Sequence, residues 1–436
     1  MKKLIAISVL FALVVGAAFA EATLGGTLQI GMNLLNGRTE GTDDDKEVVM
    51  GGIGFHEAKI SAVFGDAKGG GKLVFVASDP NGESYALNGF SGAPDGKGTT
   101  IQTWGFIYWQ PLPQFRMQIG INADGDFGAA NITGWGFLGP DKNSSAALSD
   151  YKHWGNEKSY CYLFQSGGRP GHPFYPGTGD WINLNFSLFP VDGMRINFVF
   201  PMFGGTWTAW PNGGGTRDDG AKGAKKAGDQ ILEDFQINFR YAIEEVGVAS
   251  LSFVARGGLA DGADKSARAG DLYAQFYLNS ITGIKVDFGL VYGLPWKNEQ
   301  DKENDGFLGI GLGAIYSADP FEIKFRAMVR VGGKNSDVDL NDLVTVGLRP
   351  SYKINNDLII YLYGGFNIWM SKANPNNDDE IGWFINPYIW VRASEGLRFF
   401  AGIQLNSLAG EYFLDESYNE KKIINWNIPF GFNFYF

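Results

Sequence analysis

The chain has 436 residues, with 36 Lys and Arg against 47 Asp and Glu, a formal charge of −11, one Cys and three His. That balance sets aside nucleic acid as a partner, because a phosphate-binding face needs clustered surplus cations. It also leaves no internal disulfide and no dedicated metal site, while 15% aromatics and 62 glycines favour strands joined by many turns.

Lys2 and Lys3, the apolar stretch 4–17 and the small-x-small triplet Ala18-Phe19-Ala20 form the three regions of a secretory signal peptide. Residues 1–20 are therefore expected to be removed, with Ala18 and Ala20 marking the cleavage site for a chain exported by the Sec route. The apolar run is shorter than the roughly 20 residues of a spanning helix. No later stretch offers about 18 consecutive apolar residues, which excludes a helical membrane protein.

Beyond Thr23 the chain alternates extended segments of about ten residues with turns, the length a tilted strand needs to cross a bilayer. The predicted strands are 24–34, 51–64, 72–78, 101–110, 115–123, 181–189, 194–202, 232–242 and 247–256. They continue as 271–281, 284–293, 307–317, 321–331, 343–353, 357–369, 383–393, 397–407 and 423–436. Alternate side chains of a strand point to opposite faces. In 182–188 the apolar face is Ile182, Leu184, Phe186 and Leu188, against Asn183, Asn185 and Ser187. In 321–331 it is Phe321, Ile323, Phe325, Ala327, Val329 and Val331, against Glu322, Lys324, Arg326 and Arg330. Charges fall almost entirely on one face.

Connections alternate as well. Short turns are read at 111–113, 190–193, 281–283, 318–320 and 394–396, and long acidic stretches lie between them. Segment 124–180 is long for one connection and reads as an insertion or a loop subdomain. Pro387 sits inside an otherwise good strand, where it removes a ladder donor and predicts a local bulge. Trp109, Phe115, Phe189, Trp296, Tyr316, Phe321, Trp369, Trp383, Trp390 and Trp426 lie near strand ends and suit two interfacial aromatic girdles.

The last nine residues complete the pattern. Ile428, Phe430, Phe432, Phe434 and Phe436 share one face, and Pro429, Gly431, Asn433 and Tyr435 share the other. A terminal strand of this kind ending on Phe resembles the C-terminal assembly signal of bacterial outer-membrane β-barrel proteins, and the whole pattern is porin-like. The resemblance implies an all-β fold, with 21–436 forming one transmembrane antiparallel up-and-down barrel of about eighteen strands. Short turns and both termini would be periplasmic, and the long loops extracellular. A soluble β-sandwich would instead turn the apolar faces inward.

In a barrel of this size the lumen holds water, so the charged faces become candidate pore walls. Arg116, Arg195, Arg240, Lys324, Arg326, Arg330, Arg349 and Arg398 are the pore-lining candidates, and their excess over acidic wall positions predicts a mild anion preference. The expected function is a passive diffusion channel for small hydrophilic solutes. The alternative is a surface adhesin or antigen barrel that binds partners through its loops. No Ser/His/Asp constellation is legible among three histidines, so neither catalysis nor a cofactor is expected. Expected partners are outer-membrane lipid, the barrel assembly machinery through Phe430, Phe432, Phe434 and Phe436, and the transported solutes. A homotrimer is the assembly that the resemblance to porins implies.

Overall fold

A computed structural model describes residues 22–38, 53–78, 100–121, 182–201, 235–255, 269–297, 303–304, 306–332, 342–370, 380–408 and 423–436. Segments 1–21 and 124–180 lie outside the described residues, and with them the cleavage site at Ala18 and Ala20.

In the first half the strands are β1 (Ala22–Arg38), β2 (Ile53–Gly65), β3 (Gly69–Ser78), β4 (Thr100–Leu112), β5 (Phe115–Ile121), β6 (Ile182–Leu188), β7 (Met194–Pro201), β8 (Gln236–Ile243) and β9 (Gly247–Ala255). The second half holds β10 (Gly270–Ile281), β11 (Ile284–Leu294), β14 (Phe307–Ala318), β15 (Phe321–Gly332), β16 (Asp342–Asn355), β17 (Leu358–Met370) and β18 (Glu380–Arg392). It ends with β19 (Leu397–Gly402), β20 (Gln404–Leu408) and β21 (Ile423–Tyr435). A separate two-stranded ribbon, β12 (Trp296–Lys297) with β13 (Glu303–Asn304), stands in the connection after β11.

Consecutive strands of the main sheet pair antiparallel, except β19 and β20, which do not pair with each other. β21 then pairs with β1, from Thr27 opposite Tyr435 to Arg38 opposite Asn425, so the ring closes. β19 and β20 occupy one place between β18 and β21, which makes eighteen barrel positions from the nineteen strands of the sheet. Closure removes the unpaired edges that an open sheet would present.

The predicted short turns are found, as in Thr282–Gly283 between β10 and β11. There Gly283 has φ +76°, and a Cβ would lie 2.6 Å from the Ser317 carbonyl oxygen, so only glycine fits without strain. Ala22 pairs with Phe64 beside the β2–β3 turn, and Phe434 pairs with Leu397 beside the β18–β19 turn. Both ends of the barrel therefore sit on the short-turn rim.

Burial is inverted relative to a water-soluble fold. Leu308, Ile310 and Leu312 of β14 are exposed, as are Ile323 and Val329 of β15 and Ile385 and Ile389 of β18. Asn185, Asn197, Gln236, Asn238 and Ser252, on the opposite faces of their strands, are buried. An apolar outer surface around a polar interior is stable only in hydrocarbon. The sandwich alternative, with apolar faces turned inward, does not describe this chain. No helix among the described residues is long and apolar enough to cross a membrane.

The predicted strand 397–407 is interrupted at Ile403, and its neighbours explain why. Register places Pro387 of β18 opposite Ile403, whose N–H donates to the Pro387 carbonyl oxygen at 2.9 Å. The same counting places Pro429 of β21 opposite Gly402. Each proline faces the break with the ladder position where it has no N–H to give. Two consecutive residues thus lose a donor, one from each side. Pro387→Val combined with Pro429→Thr should join β19 to β20 and stabilise the barrel by about 1–3 kcal/mol, two hydrogen bonds' worth. The measurement is the urea midpoint of the barrel in detergent, and an unchanged midpoint would remove the prolines as the cause.

Candidate functional site

Alternation decides which side chains meet in the lumen. With Phe321, Ile323, Val329 and Val331 exposed on the outer surface, Glu322 and Lys324 of β15 face inward. The same parity turns Arg116, Arg195, Arg240, Lys285, Arg349 and Arg398 inward, and apart from Asp342 at the start of β16 the outer positions of these strands are uncharged.

Inward positions differ in access. On strand after strand the first one or two beside the short-turn rim are part-exposed, and those farther in are buried. Arg116 is followed by buried Gln118, Arg195 by Asn197, Arg240 by Asn238, Lys285 by Asp287, and Arg398 by Phe400. The lumen therefore opens as a bowl on the short-turn side. Eighteen strands enclose a space wide enough for water, and the accessible inward positions gather at the short-turn end of the wall.

Cations dominate the bowl. Lys72, Arg116, Arg195, Arg240, Lys285, Lys324 and Arg398 stand at its inward strand positions, whereas Glu322 is the carboxylate among the described inward residues at that level. Glu322 pairs with Lys324 at 3.4 Å. Lys324 is also the direct cross-strand neighbour of Arg349, which lies deeper at 2% exposure with its guanidinium 5.3 Å from the Tyr361 ring centre.

Three of the predicted residues form one group. Arg195 and Arg240 are cross-strand partners on β7 and β8, and Arg116 lies on β5, one strand beyond β6. Arg116 stands 5.2 Å from the Tyr108 ring centre and 5.6 Å from that of Phe189, and Arg195 stands 5.9 Å from Phe189. Phe189 is thus a floor for guanidiniums inside the barrel and not part of the outer girdle. Arg326 and Arg330 hold register positions opposite Gly313 and Gly309 of β14, but their side chains lie outside the described residues.

Aromatic and polar contacts line other parts of the inner wall. Tyr361 and Tyr388 stack at 4.6 Å with planes 9° apart. Arg398 lies 4.7 Å from the Tyr435 ring centre and 5.5 Å from that of Trp390. Trp390 is inward and buried, so it too leaves the predicted girdle. Trp109, Tyr316 and Phe321 keep their outward places near the short turns. On β10, Tyr273 donates to Asp271 Oδ2 at 3.1 Å, and both are buried. Proximity to a strand end had suggested a girdle for Phe189 and Trp390, but face parity would have placed them correctly.

No family model and no curated protein matches the chain. Its structure is similar to those of outer-membrane β-barrel proteins. OccK9 (OpdG) of Pseudomonas aeruginosa aligns at 10% identity with a TM-score of 0.54, covering 96% of this chain and 99% of that one. OccAB3 of Acinetobacter baumannii aligns at 8% identity with a TM-score of 0.52, covering 96% and 100%. OccK1 (OpdK) of Pseudomonas aeruginosa aligns at 8% identity with a TM-score of 0.51, covering 95% and 99%. At such identities the likeness establishes the fold, and the chain has the fold of a porin-like outer-membrane β-barrel.

Proposed function

We propose that the protein is a passive diffusion channel of the bacterial outer membrane for small hydrophilic solutes, with a mild preference for anions. The observation that carries this reading is the cationic bowl at the short-turn mouth, set inside a barrel whose described outer face is built mainly of apolar side chains. A surplus of fixed positive charge in a low-dielectric wall raises the local concentration of anions and the rate at which they enter. Solute passage fits the comparison as well, since OpdK has been crystallised with vanillate.

The same reading places the chain in the outer membrane after export through segment 1–20, with the short turns and both ends of the barrel on the periplasmic side. Delivery there would use the outward row Phe430, Phe432, Phe434 and Phe436 as the element recognised by the assembly machinery. A trimer of such barrels is the assembly we propose. The adhesin or antigen alternative depends on the long connections, which lie outside the described residues.

Purified protein in planar bilayers should give discrete conductance steps, and under a salt gradient the reversal potential should have the sign of anion selectivity. A folded barrel that never conducts would end the channel reading. Cation selectivity would end only the anion preference.

A further inference from the structure

We propose that Arg398 and Asn433 form a subsite for small hydroxy acids that carry one carboxylate. The inference rests on the channel reading for the ligand's route, while the subsite itself is defined by geometry. Arg398 of β19 and Asn433 of β21 are direct cross-strand partners, and both face inward. Side chains placed in this way have Cβ atoms about 4.5–5.5 Å apart. Asn433 is fully buried, and neither its Oδ1 nor its Nδ2 has a hydrogen-bond partner among the described residues. The same holds for Arg398 Nε. Polar atoms left unpaired away from water are costly. Three of them at one register position point to a ligand.

The surroundings hold Arg398 in place without neutralising it. Its guanidinium lies 4.7 Å from the Tyr435 ring centre and 5.5 Å from that of Trp390. No carboxylate pairs with it among the described residues. Arg392, its cross-strand partner on β18, is the contrast. There Nε donates to Asp357 Oδ1 at 3.0 Å and Nη2 to the Asn356 carbonyl oxygen at 2.9 Å, so that cation is engaged by the neighbouring turn.

The orphaned atoms specify the ligand. Arg398 Nε–H and an Asn433 Nδ2–H are two donors beside one positive charge, which fits the two oxygens and single charge of a carboxylate. Asn433 Oδ1 is an acceptor, and a hydroxyl on the carbon next to the carboxylate supplies its donor. A plain carboxylate leaves Oδ1 unpaired, and a polyol leaves the cation unmatched. A phosphate monoester brings close to two charges to a single cation. Arg398 is part-exposed to the bowl, so the carboxylate meets it from the lumen.

The test is calorimetric titration of the full barrel in detergent, with lactate, propionate and glycerol as the probes. Lactate should bind roughly tenfold tighter than propionate, the size of one buried acceptor satisfied, and glycerol should give no binding. Asn433→Leu, close in volume, should lower lactate to the affinity of propionate. Asn433→Asp, which sets a carboxylate opposite Arg398, should abolish lactate binding, as should Arg398→Gln. The variants should keep the heat-modifiable folded mobility of the parent. Equal affinity for lactate and propionate, or an unchanged lactate affinity in any folded variant, would overturn the subsite. Conductance in planar bilayers separates the two readings. Lactate binding to a barrel that never conducts would refute the channel and keep the subsite, and conductance without lactate binding would do the reverse.

Discussion

Deleting residues 423–436 is expected to leave no folded barrel. β21 joins β1 on one side to β19 and β20 on the other, so its loss opens the ring along two long edges. Backbone groups on such edges have no water to turn to inside hydrocarbon, and each costs several kcal/mol. Unheated electrophoresis should show only the mobility of the unfolded chain.

Deleting Phe436 alone is a much smaller insult to closure. It removes the reciprocal pair in which Gly26 N–H donates to the Phe436 carbonyl oxygen at 2.8 Å and Phe436 N–H donates back at 3.1 Å. Those two bonds are worth about 1–3 kcal/mol together. Refolding in detergent should therefore survive with a lowered urea midpoint. Were the phenylalanine row read by an assembly machinery, the yield in cells would fall far more than the midpoint does. Proportionate losses in both assays would leave Phe436 with a closing role only.

Leu312→Arg should destabilise the barrel by about 2–4 kcal/mol, the cost of a cation on the lipid face near mid-membrane. Leu312 sits centrally in β14 between Phe288 and Ala327 of the flanking strands and is 45% exposed. Tyr316→Arg, on the same face beside the short turn, should cost only about 0–1 kcal/mol because the interface tolerates charge. Reversible unfolding into urea from lipid vesicles measures both. On a water-facing surface the two substitutions would be equally mild, so a flat profile would contradict the outward orientation of this face.

Period-two hydrophobicity made all eighteen barrel positions legible, because one face of every strand meets a single apolar environment. Parity then placed Arg116, Arg195, Arg240, Lys324, Arg349 and Arg398 on the inner wall. What patterning could not supply was anything set by strands distant in the chain. The break at Ile403 depends on Pro387 and Pro429, which lie on different neighbours and meet it only through register. The grouping of Arg116 with Arg195 and Arg240 depends on pairings across β6, and the fading access from Arg116 to Gln118 depends on what the whole interior holds. Phe189 and Trp390 failed for a simpler reason. Distance from a strand end says how high a side chain sits, whereas its position in the alternation says which way it points.

Apart from the contacts of β20 with β18 and of β19 with β21, which flank the break at Ile403, every pairing joins neighbours along the chain until Thr27 meets Tyr435. Most of the wall can therefore grow one hairpin at a time, each step closing a connection that is short beside the whole chain. The last contact must instead bring together opposite ends of nearly the whole polypeptide. The entropy of such a closure grows only logarithmically with length, so the difficulty lies less in its cost than in its timing. Until that moment the growing sheet carries two bare margins, each able to pair with another chain. The lifetime of that unclosed sheet should thus govern how much of the protein is lost to aggregation during biogenesis, and an added or deleted internal hairpin should change that lifetime little.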